Sequence, residues 1–137
     1  IPNSIVLAQA ANESGWGTSR FAKEFNALFG EYTYDYSNGV VPLSREEGAK
    51  HLVKAFDSLD KSVRSYFNNL NSHYAYKEFR YVRKIMRENN NFNNIGLLVN
   101  ELDTYAVDKN YIQTINSIIY NNKLDKLDNV NYSDIKS

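Results

Sequence analysis

The chain has 137 residues, with 16 Lys or Arg against 16 Asp or Glu, 42% hydrophobic residues and no cysteine. Such a length supports one core and leaves no room for a second domain, so residues 1–137 are expected to form a single domain with a loosely ordered tail from about residue 125. The composition excludes wholesale disorder, disulfides, thiolate zinc sites and a cysteine nucleophile, and no apolar run approaches the roughly 18 residues needed to cross a bilayer.

In chain order, Ile5 to Ala11 form an almost wholly apolar run that reads as a buried helix, started by Pro2, Asn3 and Ser4 and stopped by Gly15 and Gly17. Thr18 or Ser19 can cap a short helix through Phe25, and Asn26 to Gly30 read as a turn. Tyr32, Tyr34 and Tyr36 alternate with polar residues ahead of Ser37-Asn38-Gly39 and Val40-Val41, which predicts a hairpin, with a further strand at His51 to Phe56. Helical spacing then links Leu59, Val63, Tyr66, Phe67 and Leu70, next Phe79, Val82, Ile85 and Met86, and last Ile112, Ile115, Ile118 and Ile119. The Asn-rich stretch from Asn89 to Asn94 reads as a loop. The expected fold class is α+β and mainly α.

Chemistry concentrates at Glu13, which falls in or just past the last turn of the first helix. There the negative helix pole and partly apolar surroundings disfavour ionisation, as a general acid requires. A solvated surface Glu has the same local pattern, so the longer string decides. Ala8-Gln-Ala-Ala-Asn-Glu-Ser-Gly-Trp-Gly-Thr-Ser-Arg-Phe-Ala22, followed by Asn26-Ala-Leu-Phe-Gly30, closely resembles the glucosaminidase family of peptidoglycan hydrolases, in its Bax-type branch. Gly48 to Phe56, Ser62 to Tyr66, Asn69 to His73 with Tyr76, and Tyr105 to Tyr111 continue the likeness in the same order.

The resemblance implies a lysozyme-like helical body with a small β-hairpin lobe flanking a cleft. It implies an endo-β-N-acetylglucosaminidase acting on peptidoglycan glycan strands, with Glu13 as catalytic acid, water as second substrate and no cofactor. Periplasmic or other extracytoplasmic, wall-associated placement goes with it. A monomer without nucleic-acid partners or stable membrane insertion is expected, as is targeting information outside a chain that begins at Ile1. A catalytically silent glycan-binding domain is the main alternative, and a helical polyanion-binding module using Arg80, Lys84 and Arg87 a remote third.

Glycosidases commonly pair two carboxyl groups. The likeness points to the β excursion for the second, where Glu46 and Glu47 are the nearest match, with Glu31 and Asp35 behind them. Glu47 is preferred because Gly48 beside it lets the backbone turn the side chain inward. A substrate acetamido group can replace a second carboxylate, and Tyr105, placed in the active site by resemblance, could then orient it. Tyr76, Phe29 and Trp16 lie in matched segments as candidate substrate contacts; Trp16 also reads as a packing anchor, and Phe29 with Gly30 as the groove floor. Asp108 is expected to cap the last helix, while His51 and His73 read as structural or exposed, and no metal site is expected.

Residues 45 to 93 hold ten Lys or Arg against six Asp or Glu. Arg80, Lys84 and Arg87 share one helix face, which reads as solvated rather than as a polyanion site because no nucleic-acid motif accompanies it.

Overall fold

The computed structural model describes residues 1–43 and 45–129. It is mainly helical with one small antiparallel sheet, and so α+β. Among the described residues there are six α-helices, α1 (Asn3–Ser14), α2 (Arg20–Phe25), α3 (Leu59–Ser72), α4 (Lys77–Glu88), α5 (Gly96–Val99) and α6 (Tyr111–Asn121), with strands β1 (Tyr32–Thr33), β2 (Gly39–Val40) and β3 (Leu52–Lys54) together between α2 and α3. Short 3₁₀ segments cover Tyr74–Tyr76, Asn100–Leu102 and Leu124–Asn129. Among the described residues no helix is long and apolar enough to cross a membrane. The chain divides into two compact units, one of Gln9–Asn68 and one of Ile1–Ala8 with Asn69–Ser137.

In the unit of Gln9–Asn68, the start and stop of each element follow from local chemistry. Gly15 takes φ 58 after the last residue of α1, and the Trp16 amide donates to the Ala11 carbonyl, which closes the helix in a left-handed cap. Ser19 caps α2, its hydroxyl accepting the Ala22 amide at 3.1 Å, and Asn26 ends that helix in the left-handed region at φ 55. The core gathers Ala22, Ala27, Phe29, Leu52, Val53 and Tyr66. Tyr66 of α3 stacks on Phe29, ring centroids 4.0 Å apart, and its hydroxyl donates to the buried Gln9 side-chain oxygen. A buried amide oxygen needs such a donor, so one tyrosine ties α3 to α1 and to the loop after α2.

The sheet differs from the expected hairpin. Its order is β1-β3-β2, with Tyr32 opposite Val53 and Val40 also opposite Val53, so β1 and β2 never pair with each other. The strand with two buried side chains, Leu52 and Val53, takes the centre, and the flanking strands become edges. Asp35 explains why the tight turn forms earlier than the Ser37-Asn38-Gly39 reading: its carboxylate accepts the Ser37 amide at 2.9 Å and hydroxyl at 2.7 Å. Gly39 is a strand residue, and a Cβ there would lie 2.7 Å from the Leu52 and Thr33 side chains.

In the other unit, Ile5, Leu70, Phe79, Leu98, Val99, Leu102 and Ile115 are wholly buried. Their spacing along α4 and α6 is the one their apolar stripes predict. α5 and the 3₁₀ turn after it were not expected from the sequence. At four residues, α5 is shorter than any window in which a helical period shows. Asp108 stands ahead of α6 rather than at its cap: its carboxylate accepts the Asn110 amide at 2.9 Å and its carbonyl the Tyr111 amide. Residues 124–129 form a 3₁₀ segment whose Asp128 binds Ser4; residues 130–137 of the expected tail lie outside the described residues.

Arg80 is not part of a solvated stripe. Its guanidinium donates to the Leu70 carbonyl at 2.9 Å and the His73 carbonyl at 2.8 Å, neutralising the carboxyl end of α3. Lys84, by contrast, lies in solvent and, among the described residues, pairs with Glu88 at 3.8 Å.

Candidate active site

Glu13 is the penultimate residue of α1, half-buried, in the turn where helix carbonyls lack helical partners. The loop that follows is bound tightly: the Ser14 hydroxyl accepts the Gly17 amide at 2.8 Å, and the Ser14 carbonyl accepts the Ser19 amide at 3.1 Å. Gly15, Trp16 and Gly17 take φ values of 58, 58 and 77 in succession. Only glycine adopts that region freely, so Trp16 is held in a conformation costing about 1–2 kcal/mol. It is also 62% exposed, which corrects its reading as a packing anchor. The loop turns its backbone so that the indole stands in solvent.

The Asn26-Ala-Leu-Phe-Gly30 loop comes up against the Glu13 carboxyl. Asn26 donates its side-chain amide to the Phe56 carbonyl at 3.0 Å, the Leu28 amide donates to the Ser62 hydroxyl at 3.3 Å, and Phe29 is locked on Tyr66. Gly30, at φ 66, then passes so close to Glu13 that a Cβ on it would lie 2.7 Å from the Glu13 Oε2. Glycine is required here twice, by backbone conformation and by space. Phe29 is 2% exposed, so its ring belongs to the core under this loop and offers no face to a sugar.

Glu31 follows directly. Its Oε2 accepts the Ser65 hydroxyl at 2.6 Å, and the Lys54 ammonium donates to the same hydroxyl at 3.1 Å. Its Oε1 is buried with no hydrogen-bond partner among the described residues. Burial pushes the carboxyl above its ordinary range, against the opposing pulls of Ser65 and Lys54. Glu46 and Glu47, in contrast, are exposed on the turn that leads to β3, where Gly48 takes φ 82. Asp35 is occupied by Ser37, whose hydrogen bonds hold it below the ordinary carboxylate range.

Tyr76 and Tyr105 belong to the other unit. Tyr105 stacks on Tyr111 with ring centroids 5.7 Å apart and planes 7° from parallel, and Tyr76 meets Tyr105 at 6.2 Å. Tyr76 is 7% exposed and Tyr105 half-buried. His73 caps the Tyr74–Tyr76 turn through its Nδ1, and His51 packs beside Tyr32 at 4.9 Å.

The structure thus brings Gly30 against Glu13 and Tyr76 against Tyr105, and leaves Glu46 and Glu47 in solvent. The Ser65 and Lys54 partners of Glu31 were missed from sequence. A signal existed in Ser62, Ser65 and Tyr66, which share a helix face at i, i+3 and i+4, two of them serines on a face with apolar neighbours.

Residues 1–124 match the family model for glucosaminidase, described as mannosyl-glycoprotein endo-beta-N-acetylglucosaminidase, and the chain belongs to this family. The protein named Protein bax of Escherichia coli (strain K12) is 36% identical over 109 residues, covering 77% of this chain and 37% of that protein. Exo-glucosaminidase LytG of Bacillus subtilis (strain 168) is 28% identical over 137 residues, covering 95% of this chain and 47% of that protein. The chain therefore spans less than half the length of either relative. No solved structure gives a significant match.

Proposed function

We propose that this domain is an endo-β-N-acetylglucosaminidase that hydrolyses the glycan strand of bacterial peptidoglycan, with Glu13 as general acid. The observation that carries the reading is the lodging of the Glu13 carboxyl against Gly30, within a chain matched to the glucosaminidase family over residues 1–124. A carboxyl fixed by a close backbone approach is positioned before substrate arrives, as proton transfer to a leaving-group oxygen requires. The name of LytG adds support for glucosaminidase chemistry. Peptidoglycan as substrate places the reaction outside the cytoplasm.

In the proposed reaction Glu13 protonates the glycosidic oxygen as the bond to the anomeric carbon breaks. Water adds to that carbon and gives up its proton. Glu47, exposed on the turn that leads to β3, is the proposed acceptor of that proton, with Glu46 its neighbour. The exposed Trp16 indole, three residues from Glu13, is proposed to stack on a sugar ring, and Tyr76 and Tyr105 to contact the glycan. The stacking of Tyr105 on Tyr111 favours a second route in which a rigid tyrosine hydroxyl orients the substrate acetamido group as internal nucleophile.

Mass analysis of digested peptidoglycan tests the activity. New reducing ends on N-acetylglucosamine inside long strands are expected; muramic acid ends would make the domain a muramidase, release of single terminal sugars would make it exo-acting, and no product would leave a glycan-binding domain. Glu13→Gln should lower turnover at least about a hundredfold in a folded protein. The two routes separate by variant: the carboxylate route makes Glu47→Gln the damaging change, and substrate assistance makes Tyr105→Phe damaging, with inhibition by a thiazoline mimic.

A further inference from the structure

Tyr74, in the 3₁₀ turn between α3 and α4, is 84% exposed and yet held in place. Its ring stacks on that of His73, centroids 4.7 Å apart and planes 26° from parallel. His73 is itself fixed. Its amide donates to the Asn69 carbonyl at 2.9 Å, its carbonyl accepts the Tyr76 amide at 3.1 Å and the Arg80 guanidinium at 2.8 Å, and its Nδ1 accepts the Ala75 amide at 3.1 Å. A scattered surface tyrosine needs no explanation, and its side chain ordinarily turns freely. A ring kept open to solvent but stacked on a fixed neighbour has already given up that freedom.

The stacked pair is one end of a row of rings. His73 meets Tyr76 at 6.0 Å, Tyr76 meets Tyr105 at 6.2 Å, and Tyr105 lies on Tyr111 at 5.7 Å. Tyr76 and Tyr111 are buried and Tyr105 is half-buried, so the row opens to solvent at His73 and Tyr74 first and at Tyr105 next. These ring-to-ring steps bring Tyr74 and Tyr105 within the length of a short oligosaccharide. Around Tyr74 the surface is polar, with Asn71, Ser72, His73, Lys77 and Glu78 all exposed. One aromatic ring in a polar rim lacks the contiguous apolar area of a protein-docking patch. It suits a pyranose, which offers an apolar C–H face bordered by hydroxyls.

We propose that Tyr74 is a platform for one sugar ring of the glycan strand, beyond the sugar that Tyr105 contacts. The inference rests on the reading that Tyr76 and Tyr105 meet the glycan. The phenol face packs on the C–H face of the sugar, and His73 supplies a donor beside it. With Nδ1 accepting the Ala75 amide, the neutral imidazole carries its hydrogen on Nε2, which makes no hydrogen bond among the described residues. Stacking on a ring already in place costs little further ordering, so a long strand gains affinity here that a short one cannot. Tyr74 thereby selects for strand length rather than for sugar identity.

The test is NMR titration of chito-oligosaccharides against the full chain carrying Glu13→Gln. With Tyr74 in place, chitohexaose should bind more tightly than chitobiose. Tyr74→Ala should weaken chitohexaose roughly tenfold and leave chitobiose unchanged, and Tyr74→Phe should keep the parent affinity for both. Undiminished chitohexaose binding in Tyr74→Ala, or an equal loss for both sugars, would overturn the proposal. A second measurement, independent of how the Ala variant folds, looks for nuclear Overhauser contacts between the Tyr74 ring protons and the C–H protons of bound chitohexaose. They are expected, and their absence would also overturn the platform. Tyr105→Ala separates the two failures: full binding of every oligomer by that variant removes the glycan from the whole row, whereas weakened binding there with none lost in Tyr74→Ala removes the platform alone.

Discussion

Glu13 and Gly30 are in contact by design of the backbone: the carboxyl occupies the space a side chain at residue 30 would need, 2.7 Å from where its Cβ would sit. Gly30→Ala should therefore injure the site and the fold together. The φ of 66 alone costs about 1–2 kcal/mol for an alanine, to be read in denaturant unfolding. Displacing the carboxyl by about 1 Å should reduce turnover up to roughly a hundredfold. Alanine at residue 30 with normal turnover would detach this contact from catalysis.

Trp16 offers the opposite outcome. At φ 58 and 62% exposed, it loses little packing on replacement, so Trp16→Gly should match or exceed the parent in stability, with a gain of up to about 1 kcal/mol. If the indole stacks on a sugar ring, KM for the glycan rises several-fold while the melting curve does not fall. A large loss of stability would show that Trp16 packs against something.

Arg80 and Lys84 lie one helical turn apart and should respond differently. Arg80→Ala strips two carbonyls at the end of α3 of a charged donor, a loss of about 1.5–3 kcal/mol in equilibrium unfolding. Lys84→Ala should stay within about 0.5 kcal/mol of the parent, because Glu88, its partner among the described residues, is 3.8 Å away in solvent. Equal effects would mean that the guanidinium contacts contribute nothing.

Glu31 also links stability to pH. Its carboxyl is raised above 4.5 in the folded state, so the folded protein holds this proton more firmly than the unfolded chain does. The stability it contributes is fully present below pH 4.5 and is lost as pH rises through the folded-state value. Glu31→Gln should thus melt higher than the parent at neutral pH, and the gap should close toward pH 4. Thermal melts across that range check the sign; a gap that widens on acidification contradicts it.

Features set by neighbours in sequence were legible from the start. The glycine stop after Glu13, the Ser19 cap and the apolar stripes of α3, α4 and α6 each depend on a few adjacent residues. The sheet was misread because β3 inserts between two strands that look adjacent, and nothing within residues 32–41 announces that pairing. The status of Glu31 was hidden for a related reason: its hydroxyl partner is 34 residues away, so no local pattern marks it as buried. Trp16 misled because an apolar indole beside glycines suggests packing, whereas its exposure follows from three successive left-handed residues.

The start of α1 carries a consequence for how the chain assembles. Pro2 precedes the helix with its carbonyl accepting the Ile5 and Val6 amides, but proline has no side-chain acceptor for the free amides of the first turn. Asp128 fills that role from 124 positions away, accepting the Ser4 amide at 2.7 Å and hydroxyl at 2.6 Å. Closing so long a loop costs roughly 2 kcal/mol more than closing one of ten residues. During synthesis at about 5–20 residues per second, Ser4 waits many seconds for its acceptor to leave the ribosome. The first turn of the helix that presents Glu13 is therefore capped by this side chain only once residue 128 has been made.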